Sequence, residues 1–231
     1  MFKVLSEFTN NKEDNRFFYP REKYRGNLTS LDEKYYANNK NLTHILRREI
    51  VLNNNAFNNT IVKDFDFNNV KPQRAGVIMY TIMDNEIYFG MGLDTKTHDI
   101  TDFGGGVSYK KDLNAIVGAL REFNEETLSI FNKIKITDIE NSQVIYDNNN
   151  LIVFVNILLK PSDICERFNE KFDEMININK YWKNQPEVCG IIWLSLEQLN
   201  YCLNTNGIMF TRVKKFLSKI TDIKELICKS M

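Results

Sequence analysis

The pattern over residues 112–131 limits the possible folds more than any other stretch of the chain. Leu113, Ile116, Val117, Leu120, Phe123, Leu128 and Phe131 recur at i, i+3 and i+4, the spacing that lines one side of an α-helix. The pattern predicts a single helix of about five turns. An apolar stripe of that length needs a sheet to cover it, and the sheet is announced upstream. Residues 75–83 and 86–93 are rich in β-branched and aromatic side chains and flank Asp84-Asn85, a pair suited to a two-residue hairpin turn. A further short strand over residues 99–103 leads to Gly104, Gly105 and Gly106, read as a loop. Strands, glycines and amphipathic helix in that order predict an α/β domain.

The other side of the helix is acidic. At about 100° per residue, Glu122, Glu125 and Glu126 fall within an arc of roughly 100°, with Arg121 at its edge. Like charges at these spacings repel by about 0.2–0.5 kcal/mol per pair. Two readings follow. The face is solvated surface on which Arg121 pairs with Glu125 at i+4, or it holds a hard divalent cation, Mg²⁺ or Mn²⁺, which takes oxygen ligands from a few carboxylates and from substrate phosphates. The glycines suit the second reading, because a residue without a Cβ lets the backbone turn sharply and approach a ligand closely.

The order of parts resembles the Nudix hydrolase family. Its signature runs glycine, five residues, glutamate, seven residues, Arg-Glu, an aliphatic position, any residue, Glu-Glu, any residue, glycine. Arg121-Glu122-Phe123-Asn124-Glu125-Glu126 matches the most specific part. Five residues after Gly106 stands Asp112 in place of the glutamate, the interval to Arg121 is one residue longer, and Leu128 takes the place of the late glycine. The resemblance implies an α/β/α sandwich around a mixed sheet. It also implies metal binding by Glu122, Glu125 and Glu126 with a glycine-loop carbonyl, and support of Arg121 by Asp112. The reaction it implies is hydrolysis of a pyrophosphate linkage in a nucleoside diphosphate-linked substrate. Residues 187–194 resemble the family's Glu-x-x-x-x-x-Trp-Leu segment, which makes Glu187 a candidate additional acid. The shifted spacing and Leu128 leave open a Nudix-fold module that binds a nucleotide or RNA 5′ end without turnover.

At 231 residues and 43% hydrophobic content the chain is long enough for one substantial core, read as a Nudix domain over residues 75–231 behind a partly helical extension over residues 1–74. The formal net charge of 0 gives no general attraction to nucleic acid or membrane. No apolar run reaches the ~20 residues of a membrane span. Cys165, Cys189, Cys202 and Cys228 show no metal or disulfide spacing, so reduced core thiols and a cytoplasmic setting are expected. The bias toward asparagine, lysine and isoleucine resembles an AT-rich genome such as a large DNA virus, which would make that the host cytoplasm.

Within residues 1–74, Ser30-Leu31-Asp32-Glu33 is a capping-box pattern ahead of one or two helices reaching Val51. Residues 15–25 mix aromatics with arginines, as a base-stacking, phosphate-contacting surface would, or as an extension stapled to a domain would. Together with the viral-looking composition this segment pushes the expected substrate toward capped RNA. After the helix, residues 134–146 and 151–159 read as strands and residues 161–186 as a polar, largely helical insertion carrying Glu166, Glu170, Asp173 and Glu174. Ser195-Leu196-Glu197-Gln198 is another capping box, before helices that turn Leu199, Leu203, Val213, Phe216, Leu217 and Ile220 inward. His98 reads as a solvent-exposed residue in a polar turn rather than a catalytic one.

Overall fold

The computed structural model describes residues 57–131, 133–178 and 186–228. The Ser30 capping box, the helices expected up to Val51 and the aromatic and arginine segment of residues 15–25 lie outside these.

Among the described residues, eight strands form one open mixed sheet. They are β1 (Asn58–Ile61), β2 (Arg74–Met83), β3 (Glu86–Asp94), β4 (Ile100–Thr101), β5 (Phe103–Gly106), β6 (Gln143–Tyr146), β7 (Asn150–Asn156) and β8 (Val188–Ser195). The helices are α1 (Ala115–Glu126), α2 (Pro161–Ile178), α3 (Leu196–Asn204), α4 (Thr211–Leu217) and α5 (Ile223–Cys228). The order is β1-β6-β7-β2-β3-β4, with β5 also on β2 and β8 also on β3. Only β2 and β7 run parallel. β1 reaches back to Asn58, ahead of the residue-75 start expected for the domain.

The β2–β3 hairpin closes through Asp84 (φ 51°) and Asn85 (φ 63°), between Met83 and Glu86. Two left-handed residues give the turn the twist of the strands it joins, and Asp and Asn tolerate that conformation better than other side chains with a Cβ. Beyond the hairpin the sheet forks. Met79–Met83 of β2 pair with β3, whereas Arg74–Val77 pair with β5. The far half of β3 turns to β4 and β8. The fork carries the glycines to the edge where α1 lands.

Alternation sorts the core into two layers. Ile78, Tyr80, Phe89, Met91, Ile192 and Leu194 bury against Leu199, Cys202, Val213, Phe216, Leu217 and Leu226 of α3–α5. Each such side chain contributes about 1.5–3 kcal/mol of burial. The other face bears Val77, Met79, Val153 and Trp193, all buried. Here Phe123 of α1 meets Phe103 edge-on with ring centroids 5.6 Å apart, and α2 turns Ile164, Cys165, Phe168 and Phe172 inward. The architecture is an α/β/α sandwich around a mixed sheet. The Ser195 capping box forms as read, with Gln198 N–H donating to Ser195 Oγ (3.2 Å) and Ser195 N–H to Gln198 Oε1 (2.9 Å).

Three local expectations need correction. α1 is shorter than the pattern suggests: it starts at Ala115, because Asn114 caps it by accepting from Val117 N–H (3.0 Å). It stops at Glu126, ahead of left-handed Leu128 (φ 54°) and Ser129 (φ 57°). Leu113 therefore precedes the helix and is 90% exposed. Residues 134–142 are not strand. Asp138 captures Lys135 N–H (2.8 Å) and nucleates a 3-10 turn at Ile136–Ile139, a local bond that competes with sheet pairing. The glycines form strand β5 rather than a loop, paired to β2 and without a positive φ.

No helix among the described residues is long and apolar enough to cross a membrane. Cys165 and Cys202 are buried thiols, Cys189 is half-buried and Cys228 exposed, all unpaired by disulfides.

Candidate active site

The site is built where α1 lies against the glycine strand. Small residues Ala115, Gly118 and Ala119 are buried on α1, and a Cβ on Gly118 would lie 3.2 Å from Asp112 Oδ2 and from Val107, so the helix sits close to the loop that follows the glycine strand. Further along α1, at the same i+3 and i+4 steps, come Glu122 and Glu126. The carboxylates are thus not on an outer face, as the sequence reading has them. Glu126 is 9% exposed, the Glu122 side chain 15% and the Glu125 side chain 60%. Ile116 and Phe123 of the apolar stripe are buried beside the small residues, while Leu120 is only half-buried.

Gly105 supplies the closeness that the turn reading sought elsewhere. A Cβ on Gly105 would lie 2.6–2.7 Å from the Glu122 carboxylate, so any side chain there would displace it. One step back, a Cβ on Gly104 would meet the Gly76 Cα at 2.5 Å and the Ala75 carbonyl at 2.7 Å. The two backbones therefore touch directly.

Arg121 ties the loop to the helix. Its Nε donates to Asp112 Oδ1 (2.9 Å) and its Nη2 to Asp112 Oδ2 (3.0 Å) and the Gly106 carbonyl (3.1 Å). Nη1 donates to Glu122 Oε1 (2.8 Å) and more loosely to Glu125 Oε2 (3.3 Å). The extra loop residue is absorbed by a turn in which Lys111 and Asp112 N–H both bond the Ser108 carbonyl (2.7 and 2.6 Å). Ser108 N–H in turn donates to Asp112 Oδ2 (2.8 Å). The shorter aspartate thereby reaches the guanidinium in bidentate geometry. Hydrogen bonding from Arg121 holds Asp112 below the usual carboxylate range, against its burial, and the same bond raises Arg121.

Glu122 and Glu126 are shifted the opposite way. Burial raises Glu122, with the charges of Glu125 and Glu187 adding and Arg121 opposing. Glu126 is pushed up to about 9, first by burial and then by the charge of Asp102; the Gly104 amide favours its ionised form, Glu187 raises it further and Arg74 opposes. Its Oε2 is buried without a hydrogen-bond partner. Glu187, exposed just ahead of β8, is brought within electrostatic reach of both.

Asp102 and Arg74 are site residues that sequence reasoning missed. Asp102 is fully buried and Arg74 nearly so. They pair through Arg74 Nη1 to Asp102 Oδ2 (2.7 Å) and Nη2 to Asp102 Oδ1 (2.6 Å), and Nη2 also donates to the Gly104 carbonyl (2.9 Å). The signal was Asp102 within the residue 99–103 strand pattern and Arg74 one residue ahead of the 75–83 pattern; nothing in the sequence pairs the two. His98 is buried with φ 56°, not exposed as expected. The acids of α2, Glu166, Glu170, Asp173 and Glu174, face solvent.

Among the described residues no three Asp, Glu, His or Cys side chains are gathered into a metal cage. The arrangement is open-sided, with Glu126 buried, Glu122 half-buried, Glu125 exposed and a glycine backbone against them. That donor set fits Mg²⁺ or Mn²⁺, which are held by one or two carboxylates and complete their shell with water and substrate phosphates. The orphaned Glu126 oxygen fits as well, since an uncompensated buried carboxylate oxygen costs free energy that a cation would recover.

No family model matches the chain, and no curated protein matches it by sequence. Solved structures similar to it include the Ap4A hydrolase of C. elegans in a binary complex, at 15% identity and TM-score 0.36 over 63% of this chain and 92% of that one. The same C. elegans hydrolase outside that complex gives 15% identity and TM-score 0.35, over 64% and 95%.

Proposed function

We propose that this chain is a metal-dependent hydrolase of the Nudix type, cleaving a pyrophosphate linkage in a nucleoside diphosphate-linked substrate. The observation that carries the reading is Glu126: a buried carboxylate, one helical turn from Glu122 and beside Gly104 of the glycine strand, with one oxygen unsatisfied.

In this reading Glu122 and Glu126 hold Mg²⁺ or Mn²⁺, with Glu125 completing the set from the open side. Such a cation neutralises diphosphate charge and lowers the pKa of bound water. Arg121, anchored by Asp112, fixes the Glu122 carboxylate through a charge-assisted bond and keeps the helix and the β5 end in register. Gly104 and Gly105 make room for the β2 backbone and the Glu122 carboxylate, and Gly106, with open space beside it, lets the substrate phosphates approach the backbone. Glu125 and Glu187, exposed on the open side, are the candidates for positioning or deprotonating a water there.

The intact Asp112 to Arg121 pair favours turnover over a binding-only module, because the altered spacing leaves the arginine support in place. Leu128 takes a left-handed conformation, so the replacement of glycine there strains the helix exit and removes no ligand.

The test is hydrolysis by the purified full chain with Mg²⁺ or Mn²⁺. The panel is capped RNA, ADP-ribose, nucleoside triphosphates, dinucleoside polyphosphates and diphosphoinositol polyphosphates, with Glu125→Gln and Glu126→Gln as controls. Cleavage of one class, lost in both variants, is expected. Specific metal-enhanced binding without cleavage would instead identify a binding module, and neither binding nor cleavage would return the glutamates to a structural role.

A further inference from the structure

Arg74 and Asp102 form an ion pair inside the domain, where ion pairs are poor stabilisers. Removing both charges from water costs several kcal/mol per ion, and well-packed apolar residues often serve stability as well or better. This pair also forces its surroundings. A Cβ on Gly76 would collide with Asp102 Oδ2, and one on Gly104 would lie 3.1 Å from the same oxygen. Two glycines on adjacent strands thus make room for one carboxylate. A third guanidinium donor goes to the Gly104 carbonyl (2.9 Å). Gly104 is therefore held at its carbonyl by Arg74 while its amide acts on Glu126.

We propose that the Arg74 to Asp102 pair is a positioning device for the divalent-cation site, acting through Gly104 on Glu126. Neither residue touches the cation or the substrate. Arg74 fixes the height of the β5 strand against α1, and Asp102 fixes Arg74 by a two-point bond that admits one guanidinium orientation. The Gly104 amide then favours the charged Glu126 carboxylate, whose buried Oε2, without a hydrogen-bond partner, is left for the cation. Lysine, a point charge without a fork, would retain the charge and lose the geometry. This inference rests on the proposed binding of a cation by Glu126.

The test measures Mn²⁺ binding to the full chain by electron paramagnetic resonance, beside the melting temperature, for wild type, Arg74→Lys, Arg74→Met, Asp102→Asn and Glu126→Gln. A positioning role predicts that Arg74→Lys and Asp102→Asn weaken Mn²⁺ by ~10–100-fold, the loss typical when a support of a metal ligand is removed, with melting temperatures still well above the assay temperature. Mn²⁺ affinity equal to wild type in a folded Arg74→Lys or Asp102→Asn overturns the proposal. A second readout needs no variant: Mg²⁺ titrated into the ¹⁵N-labelled wild type should shift the Gly104 amide and the Arg74 side-chain resonances, and their failure to move at saturation overturns it too. If Glu126→Gln binds Mn²⁺ as wild type does, the cation reading itself falls, and the positioning role with it.

Discussion

The two halves of β2 share β7 as a neighbour on one side and differ in almost everything else. From Met79 to Met83 the strand pairs with β3, and Ile78 and Tyr80 join the apolar layer under α3–α5. From Arg74 to Val77 it pairs with the glycine strand and collects Arg74, Asp102 and, across α1, Glu122 and Glu126. The first half is stabilised by burial alone. The second buries charges, of which the Arg74 to Asp102 pair is matched and the Glu126 carboxylate is left short of a partner. A chain that keeps an unmatched carboxylate at a backbone edge gives up stability there, which is expected of a site shaped for a charged ligand.

The largest test of that contrast lies in the apolar half. Phe154 is fully buried in the layer beneath α3–α5, and Phe154→Ala should cost about 3–5 kcal/mol in a denaturant melt while Mn²⁺ affinity of the folded protein stays near wild type. At the charged half the expected sign reverses. Glu126→Gln should raise stability in chelator at pH 8, because the buried group no longer has to retain a proton that the unfolded chain releases, and it should abolish hydrolysis. The pH dependence follows from the same shift. With Glu126 at about 9 in the fold and near 4.3 unfolded, cation-free stability falls as pH rises between those values; Glu126→Gln should flatten that slope in melts across the range.

Asp112 has the opposite sign. Its pKa is depressed in the fold, so its contribution is present above about pH 4 and lost as pH falls through the folded value. Asp112→Asn should remove that acid-side loss and cost roughly 1–3 kcal/mol near neutrality by weakening a charge-assisted pair, read in the same melts. The smallest effect is at the helix exit. Ser129 is exposed with φ 57°, and Ser129→Gly should gain up to about 1 kcal/mol by relieving left-handed strain.

The same division governs what could be read from the sequence. Periodicity located β2, β3 and the inward faces of α3 and α4, because apolar burial writes itself as alternation or as i+3 and i+4 steps. Asp84-Asn85 was readable because the turn requires those residue types. The Arg121 to Glu126 motif was found through its resemblance, and the same route offered Asp112 as a support for Arg121 while leaving open its loss; the two are hydrogen-bonded. What escaped were features set by tertiary contact. Helical spacing put Glu126 opposite the apolar stripe, but Ala115, Gly118 and Ala119 are buried on α1 and Glu126 with them. Arg74, just ahead of one strand pattern, and Asp102, within another, each looked like an isolated charge until the fork between β3 and β5 brought them together. Gly104–Gly106 were read for flexibility, whereas the fold uses their lack of a side chain.

The central claim, that Glu126 exchanges a proton for a divalent cation, is tested most directly by calorimetry of Mn²⁺ binding at pH 7.5 in buffers of different ionisation enthalpy. Binding to the wild type should release about one proton per cation, since a ligand protonated in the cation-free fold must lose it to coordinate, and Glu126→Gln should show neither that release nor comparable affinity. Mn²⁺ binding without proton release, or with the same affinity in Glu126→Gln, would contradict it.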